Sequence, residues 1–150
     1  MNGIFVDADG CPVVEQTIRL GRQAGIPVTL VCDTSHEMQR EGAQTIVVSK
    51  GADSADYALV NRIGNRNIVV TQDYGLAAMC LAKGARVLNQ DGMEYTKENI
   101  DGLLLFRHTA RKIRNGGGRL KGSKKRDRKV QDAAFEQALL RIIGEEQEHD

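Results

Sequence analysis

The chain has 150 residues, of which 41% are hydrophobic and 27% are charged, a size and composition typical of one globular domain. No apolar run approaches the roughly 20 residues of a membrane span, and no signal-peptide pattern opens the chain, so no membrane association is expected. With three Phe, three Tyr and no Trp, a wide aromatic platform for stacked bases is not expected. Three cysteines without a C-x-x-C pair are typical of reduced thiols and favour a cytoplasmic location.

The formal net charge of +1 hides an uneven distribution of basic residues. Residues 1–106 carry 9 basic and 13 acidic side chains, residues 107–129 carry 11 and one, and residues 130–150 carry one and 6. A basic block of this density is typical of a surface that binds polyanions. The pattern therefore predicts a nucleic-acid partner, while the oligomeric state stays open.

Short apolar runs alternate with helical stripes through residues 3–89. Strands separated by about ten to fifteen residues of helix favour a parallel sheet with right-handed crossovers, and therefore a three-layer α/β fold. Strands are predicted at 3–7, 27–32, 45–48, 67–71 and 86–89. Helices are predicted from Pro12 to the residue before Gly25, at 52–63 and at 74–83, whereas 35–42 could be a short helix or a loop.

The pattern changes after the fifth predicted strand. A turn at residues 90–92 precedes Thr96, a candidate N-cap with Asn99 at the third position, and a helix is predicted over 97–114. Residues 115–128 are predicted to form a basic flexible segment, followed by a C-terminal helix near 129–144. We expect residues 1–150 to form one domain.

Acidic residues follow three of the predicted strands. Asp7 and Asp9 close the first, Asp53 and Asp56 follow the third, and Asp73 follows the fourth. Because the carboxyl ends of parallel strands meet where open α/β sheets bind ligands, these side chains are expected to lie close together. Such a cluster repels itself unless a proton or a cation lies among the carboxylates.

Each carboxylate also has a purely structural interpretation. Asp9 and Asp73 could each cap the helix that follows, and Asp53 and Asp56 could interact with a helix dipole. Asp7 is the hardest to explain in this way, because a carboxylate at the end of a buried strand is costly without a partner. Three groups at three equivalent strand ends favour a shared function.

An all-oxygen site of this kind suits Mg²⁺ or Mn²⁺. The predicted metal ligands are Asp7, Asp9, Asp56 and Asp73, with Asp53 as a further candidate, and the predicted catalytic residues are Asp7 and Asp73. Such a metal lowers the pKa of a bound water and neutralises charge on a phosphate. The carboxylates therefore predict metal-assisted hydrolysis of phosphodiesters.

The basic block supplies candidate contacts to a phosphate backbone. Arg107, Arg111 and Arg114 fall at i, i+4 and i+7 and share one face of the predicted helix. Contacts of this kind make binding salt-dependent and carry little sequence information. The predicted nucleic-acid-binding residues are Arg107, Arg111, Arg114, Arg119, Lys121, Lys124, Lys125, Arg126 and Arg128.

Four segments resemble the motifs of the YaiI/YqxD family of uncharacterised bacterial proteins. Residues 6–12 read V-D-A-D-G-C-P, residues 51–56 read G-A-D-S-A-D, and residues 71–77 read T-Q-D-Y-G-L-A. Residues 88–96, L-N-Q-D-G-M-E-Y-T, resemble a fourth motif. The later G-G-P of the family is replaced here by three glycines at 116–118.

The resemblance carries expectations of its own. The YaiI/YqxD family is similar to PIN-like nuclease domains, whose acidic residues lie on a parallel sheet and bind Mg²⁺ or Mn²⁺. It implies about five strands in the order 3-2-1-4-5 with C-terminal helices. It also implies a nuclease, and RNA is expected as the substrate in preference to DNA.

Two other functions remain open from the sequence. An apolar strand that ends in Asp-x-Asp-Gly also resembles a haloacid-dehalogenase-type phosphatase, in which Asp7 would be the nucleophile and Lys83 or Lys97 the required lysine. The third candidate is a non-catalytic PIN-like domain that binds nucleic acid or acts as an adaptor. It predicts polyanion binding without turnover.

Overall fold

The computed structural model describes residues 3–34, 38–49, 54–116 and 127–148. Within them the chain alternates strands and helices, as the apolar pattern predicts. The strands are β1 (Ile4–Asp7), β2 (Val28–Asp33), β3 (Gln44–Val48), β4 (Ile68–Val70), β5 (Arg86–Leu88) and β6 (Glu94–Tyr95). The helices are α1 (Val14–Ala24), α2 (Ser54–Val60), α3 (Tyr74–Ala82), α4 (Lys97–Asn115) and α5 (Arg128–Gln147).

The described strands form one sheet in the order β3-β2-β1-β4-β5-β6. β1 to β5 are parallel, so the predicted order of the first five strands and the predicted fold class are confirmed. β6 adds an antiparallel edge strand that the sequence does not predict, because two residues are too few for a periodic signal.

Helices cover both faces of the sheet. On one face, α1 and α5 pack against alternate residues of the central strands, including Val6, Leu30 and Val70. On the other face, α2, α3 and α4 pack against the intervening residues, including Val31 and Val69. Strands buried on both faces lose the polar alternation of half-exposed strands, which is why β1, β2 and β4 read as continuous apolar runs.

Helix ends follow local capping chemistry. α1 begins at Val14, two residues later than Pro12, because Pro12 and Val13 form a turn instead of helix. It ends at Gly25, whose φ of +73° is the left-handed conformation that glycine adopts without strain. At the start of α4, the Asn99 N–H donates to Thr96 Oγ1 and the Thr96 N–H donates to Asn99 Oδ1, so asparagine completes a reciprocal cap.

A cluster of charged side chains fixes α5 at the amino-terminal edge of the parallel strands. Arg86 contacts Glu94 on β6 at 3.0 Å and Glu145 on α5 at 2.8 Å. Burial alone would lower the pKa of Arg86, but its hydrogen bonds to both glutamates raise that pKa above its ordinary value. This cluster of ion pairs therefore lies away from the edge where the predicted carboxylates meet.

The C-terminal part of the chain is predicted in outline. α4 extends one residue past its predicted end, and α5 covers 128–147 where a helix near 129–144 is predicted. The predicted flexible segment falls largely on residues 117–126, which lie outside the described residues. Within the described ranges, no helix is long and apolar enough to cross a membrane.

Candidate metal and phosphate site

The order in which strands are added to the sheet reverses between β1 and β4. From β1 the chain moves outward to β2 and β3, and it then returns to β4 on the other side of β1 and continues to β5. Ligands of open α/β sheets bind at such a switch point, beyond the carboxyl ends of the strands. Asp7 ends β1 there, and Thr71 and Asp73 follow the end of β4.

Asp7 is a partly buried carboxylate in a negative environment. Thr71 Oγ1 donates a hydrogen bond to Asp7 Oδ2 at 2.8 Å. The pKa of Asp7 is raised to about 6, mainly by desolvation and also by the charges of Asp56, Asp73 and Asp9, against the opposing effect of this hydrogen bond. Among the described residues, no Lys, Arg or His forms an ion pair with Asp7.

Asp73 is held at the start of α3. Its Oδ1 accepts hydrogen bonds from the N–H groups of Gly75 at 2.9 Å and Leu76 at 3.2 Å, so the capping interpretation of Asp73 is correct. The Asp73 N–H donates to Thr71 Oγ1 at 3.0 Å. Because Thr71 Oγ1 also donates to Asp7, one buried hydroxyl links the Asp7 carboxylate to the backbone N–H of Asp73.

Asp9 and Asp56 lie at the same edge. The N-cap of α1 is Val13, with no side-chain cap bond, so Asp9 does not cap the helix that follows it. Instead, Asp9 Oδ2 accepts a hydrogen bond from the N–H of Asp33, at the end of β2, at 3.2 Å. Asp56 lies in the first turn of α2 and lines a cleft together with Asp73. Asp53 lies outside the described residues.

The carboxylates interact electrostatically without closing around one point. Within the described ranges, no group of three or more His, Cys, Asp or Glu side chains is positioned to hold a metal ion. Mg²⁺ commonly binds through only one or two carboxylates and keeps several waters. The elevated pKa of Asp7 fits such an ion, because a nearby cation would favour the charged form that burial and the neighbouring acids disfavour.

Arg107 brings positive charge from α4 to this edge. Its Nη1 lies 3.5 Å from Asp73 Oδ1, and both side chains are substantially exposed. Leu103 and Leu104 pack against the core on this face of the sheet and hold this part of α4 in place. Arg107 is therefore the predicted phosphate contact that the structure brings directly to the acidic edge.

Two of the other predicted phosphate contacts are exposed, and the side chains of the rest are not described. Arg111 is exposed on α4, and Arg128 is exposed at the start of α5. The side chain of Arg114 is not described. Arg119, Lys121, Lys124, Lys125 and Arg126 lie outside the described residues.

The described fold does not supply the lysine that the phosphatase alternative requires at the carboxyl edge of the sheet. α3 starts at the carboxyl edge of the strands and runs back, so Lys83 at its end lies toward the opposite edge. β6 is antiparallel to β5 and also runs toward that edge, where Lys97 begins α4. Neither of the two candidate lysines is placed beside Asp7.

Comparisons with known proteins agree with the motifs at this edge. Residues 5–145 match the family described as Uncharacterized BCR, YaiI/YqxD family. The chain belongs to the YaiI/YqxD family. Among its relatives is a UPF0178 protein of Exiguobacterium sibiricum, 54% identical over 95% of this chain and 96% of that protein. Another, from Ruminiclostridium cellulolyticum, is 50% identical over 97% of this chain and 94% of that protein.

A UPF0178 protein of Clostridium acetobutylicum is 44% identical over 93% of this chain and 95% of its own length. No solved structure matches the chain. The names of these YaiI/YqxD relatives state no activity, so the chemistry of this family member is inferred from its residues.

Thr71 is the site residue of this YaiI/YqxD protein to which the sequence assigns no role. It ends the apolar run of β4 and is 2% exposed. In addition to its side-chain bonds, its carbonyl accepts a hydrogen bond from Tyr95 OH at 3.1 Å. The sequence signal for such a role is a hydroxyl residue two positions before an Asp at the end of a strand. This signal becomes informative only once β1 and β4 are known to be neighbours.

Proposed function

We propose that this protein is a metal-dependent nuclease that hydrolyses phosphodiester bonds, with RNA favoured over DNA. The observation that carries the proposal is the environment of Asp7 at the switch point of the sheet. Its pKa is raised to about 6 by desolvation and by Asp56, Asp73 and Asp9, although Thr71 opposes the shift. Such a strained charge is typical of functional sites, and a divalent cation would relieve it.

Each residue of the proposed site has a separate role. Asp7 would hold Mg²⁺ or Mn²⁺ directly, with Asp9, Asp56 and Asp73 as further ligands or as acceptors for the waters of the ion. Thr71 orients Asp7 through the 2.8 Å hydrogen bond. When bound, the metal supplies a water of lowered pKa and neutralises charge on the phosphate.

Arg107 supplies the charge that the acidic edge lacks. An anionic substrate is repelled by clustered carboxylates, and a guanidinium can bind a phosphate through paired hydrogen bonds. Because Arg107 is 43% exposed and lies 3.5 Å from Asp73, it can contact a phosphate at the carboxylate edge. The basic block from residue 107 to residue 129 would extend that attraction along the substrate.

The proposal predicts turnover that depends on metal and salt. Purified protein is expected to cleave labelled RNA in Mn²⁺ or Mg²⁺, to lose that activity in EDTA, and to bind RNA with an affinity that falls steeply as salt rises. Single-stranded RNA, structured RNA and single-stranded DNA should be assayed side by side. Tight binding of all three without cleavage in either metal would instead support the non-catalytic adaptor.

A further inference from the structure

The contact between Arg107 and Asp73 borders two small clefts at the acidic edge. The Tyr57 cleft lies between α2, α3 and α4, has a volume of about 290 Å³, and is lined by Tyr57, Gly75 and Met79 as well as Asp73 and Arg107. The second cleft, of similar volume, is lined by Gln72, Tyr74, Asp73 and Arg107. Both are near the lower end of the roughly 300–1,000 Å³ range of ligand pockets, so each suits a small group.

The lining of the Tyr57 cleft combines an exposed aromatic ring with a cation. Tyr57 is 62% exposed, whereas the buried aromatics Tyr95 and Phe135 belong to the cores. Met79 is 38% exposed and adds an apolar, polarizable wall. Arg107 provides positive charge at the border of the cleft. The lining also includes the carboxylates of Asp56 and Asp73, so the cleft is mixed in polarity. The Tyr57 ring and the Met79 side chain beside a guanidinium match a nucleotide, which has a planar base and an anionic phosphate.

Gly75 keeps the part of the cleft beside Arg107 open. A Cβ added at this position would lie 3.4 Å from Asp73 Oδ1 and 3.6 Å from Arg107 Nη1, which is ordinary van der Waals contact. An alanine there would therefore occupy space between the two charged groups without a steric clash. Alanine is also the better helix former, by about 0.5–1 kcal/mol in helix interiors, so loss of the glycine is not expected to disrupt α3.

We propose that the Tyr57 cleft binds the base of an unpaired nucleotide next to the phosphate that is cleaved. This inference rests on the proposed nuclease function and adds a subsite to it. The base stacks on Tyr57 against Met79, and its phosphate contacts Arg107. A single stacking ring needs no wide aromatic platform, so the scarcity of aromatics is compatible with it.

Binding to two matched strands tests the subsite. The probes are a labelled single-stranded oligouridine and an abasic oligomer with the same length and backbone, measured in Ca²⁺ so that binding is read apart from turnover. Tyr57→Ala is expected to weaken oligouridine binding by about 5- to 100-fold and to leave abasic binding unchanged. Tyr57→Phe should retain wild-type affinity because it keeps the ring.

Phe106→Ala is the matched control, since Phe106 on α4 is also 62% exposed but lines neither cleft. Phe106→Ala is expected to bind oligouridine like wild type. Gly75→Ala should weaken the binding of oligouridine, and its unfolding temperature should equal or exceed that of wild type. Binding of oligothymidine is measured in parallel and shows whether the bound base can come from DNA as well as from RNA. Equal binding of oligouridine by wild type and Tyr57→Ala, or equal losses on both strands, would overturn the subsite.

The experiment separates failure of the subsite from failure of the nuclease. Selective dependence on Tyr57 without cleavage in Mn²⁺ would retain the subsite and overturn the proposed activity. Cleavage in Mn²⁺ with no dependence on Tyr57 would retain the activity and overturn the subsite. If the protein binds none of the strands, both proposals are wrong.

Discussion

Asp7→Asn is expected to reduce Mn²⁺-dependent cleavage of RNA by more than about 100-fold. Loss of a residue that merely supports a metal ligand typically costs 10- to 100-fold, and Asp7 is proposed as a ligand itself. The amide keeps the shape of the side chain and an oxygen that can accept the 2.8 Å hydrogen bond from Thr71, so the change removes charge with little effect on packing. Initial rates of cleavage of a labelled oligonucleotide are the measurement.

The control for this experiment is Asp101→Asn. Asp101 is exposed in the first turns of α4, which begin away from the acidic edge. Its cleavage rate should equal that of wild type. Wild-type turnover by Asp7→Asn would contradict the assignment of Asp7. Retained RNA binding with lost turnover in Asp7→Asn would support a catalytic role and not only a role in binding.

The same substitution is expected to stabilise the metal-free protein near neutral pH. The pKa of Asp7 is raised from 3.8 to about 6, mainly by desolvation, so the folded state binds the proton more tightly than the unfolded state. Native stability attributable to Asp7 is therefore full below about pH 4 and is lost as the pH rises through about 6. A pKa shift of this size corresponds to a loss of about 3 kcal/mol in the free energy of unfolding once the pH is above about 6. This figure is the upper limit of the stability that Asp7→Asn gains over wild type.

Urea unfolding in EDTA across this pH range measures the effect. The difference in free energy of unfolding between Asp7→Asn and wild type should be near zero below about pH 4 and should grow to its full value above about pH 6. Asp101→Asn should stay within about 0.5 kcal/mol of wild type, as is usual for exposed positions. An Asp7→Asn protein that is less stable than wild type at neutral pH would show that the charge of Asp7 is not strained.

Asp7→Asn is thus predicted to lower the rate of cleavage and to raise the free energy of unfolding, as expected for a functional residue. If Asp7 served only to stabilise the fold, its substitution would not increase the free energy of unfolding at neutral pH. Metal binding would offset the unfavourable charge, because an ion that binds only the folded state stabilises it by mass action. Activity and metal-free stability therefore move in opposite directions on the same substitution.

The fold could be predicted further from the sequence than the site could. Buried parallel strands such as β1 and β4 show apolar runs that are visible without a structure, and helix ends such as Gly25 have local signals. β6 could not be predicted, because its two residues are held by pairing with β5 and by the hydrogen bond from Tyr95 to Thr71. Tertiary contacts of that kind leave no periodic pattern.

For the carboxylates, sequence could predict the edge but not the part that each plays there. Capping was an equally simple explanation for Asp9 and Asp73, and the structure separates them. Asp73 does cap α3, whereas α1 has no side-chain cap and Asp9 bonds to the end of β2. The role of Thr71 depends on β1 and β4 being neighbours, which is a property of topology. Asp53 stays a prediction.

Calorimetric titration of the metal-free protein with Mn²⁺ tests the central claim most directly, because it requires no knowledge of the substrate. Wild type and Asp101→Asn are predicted to bind Mn²⁺ and to release protons near pH 6, where the pKa of Asp7 lies, whereas Asp7→Asn should lose the binding. Equal Mn²⁺ affinity in wild type and Asp7→Asn would contradict a metal site at the end of β1.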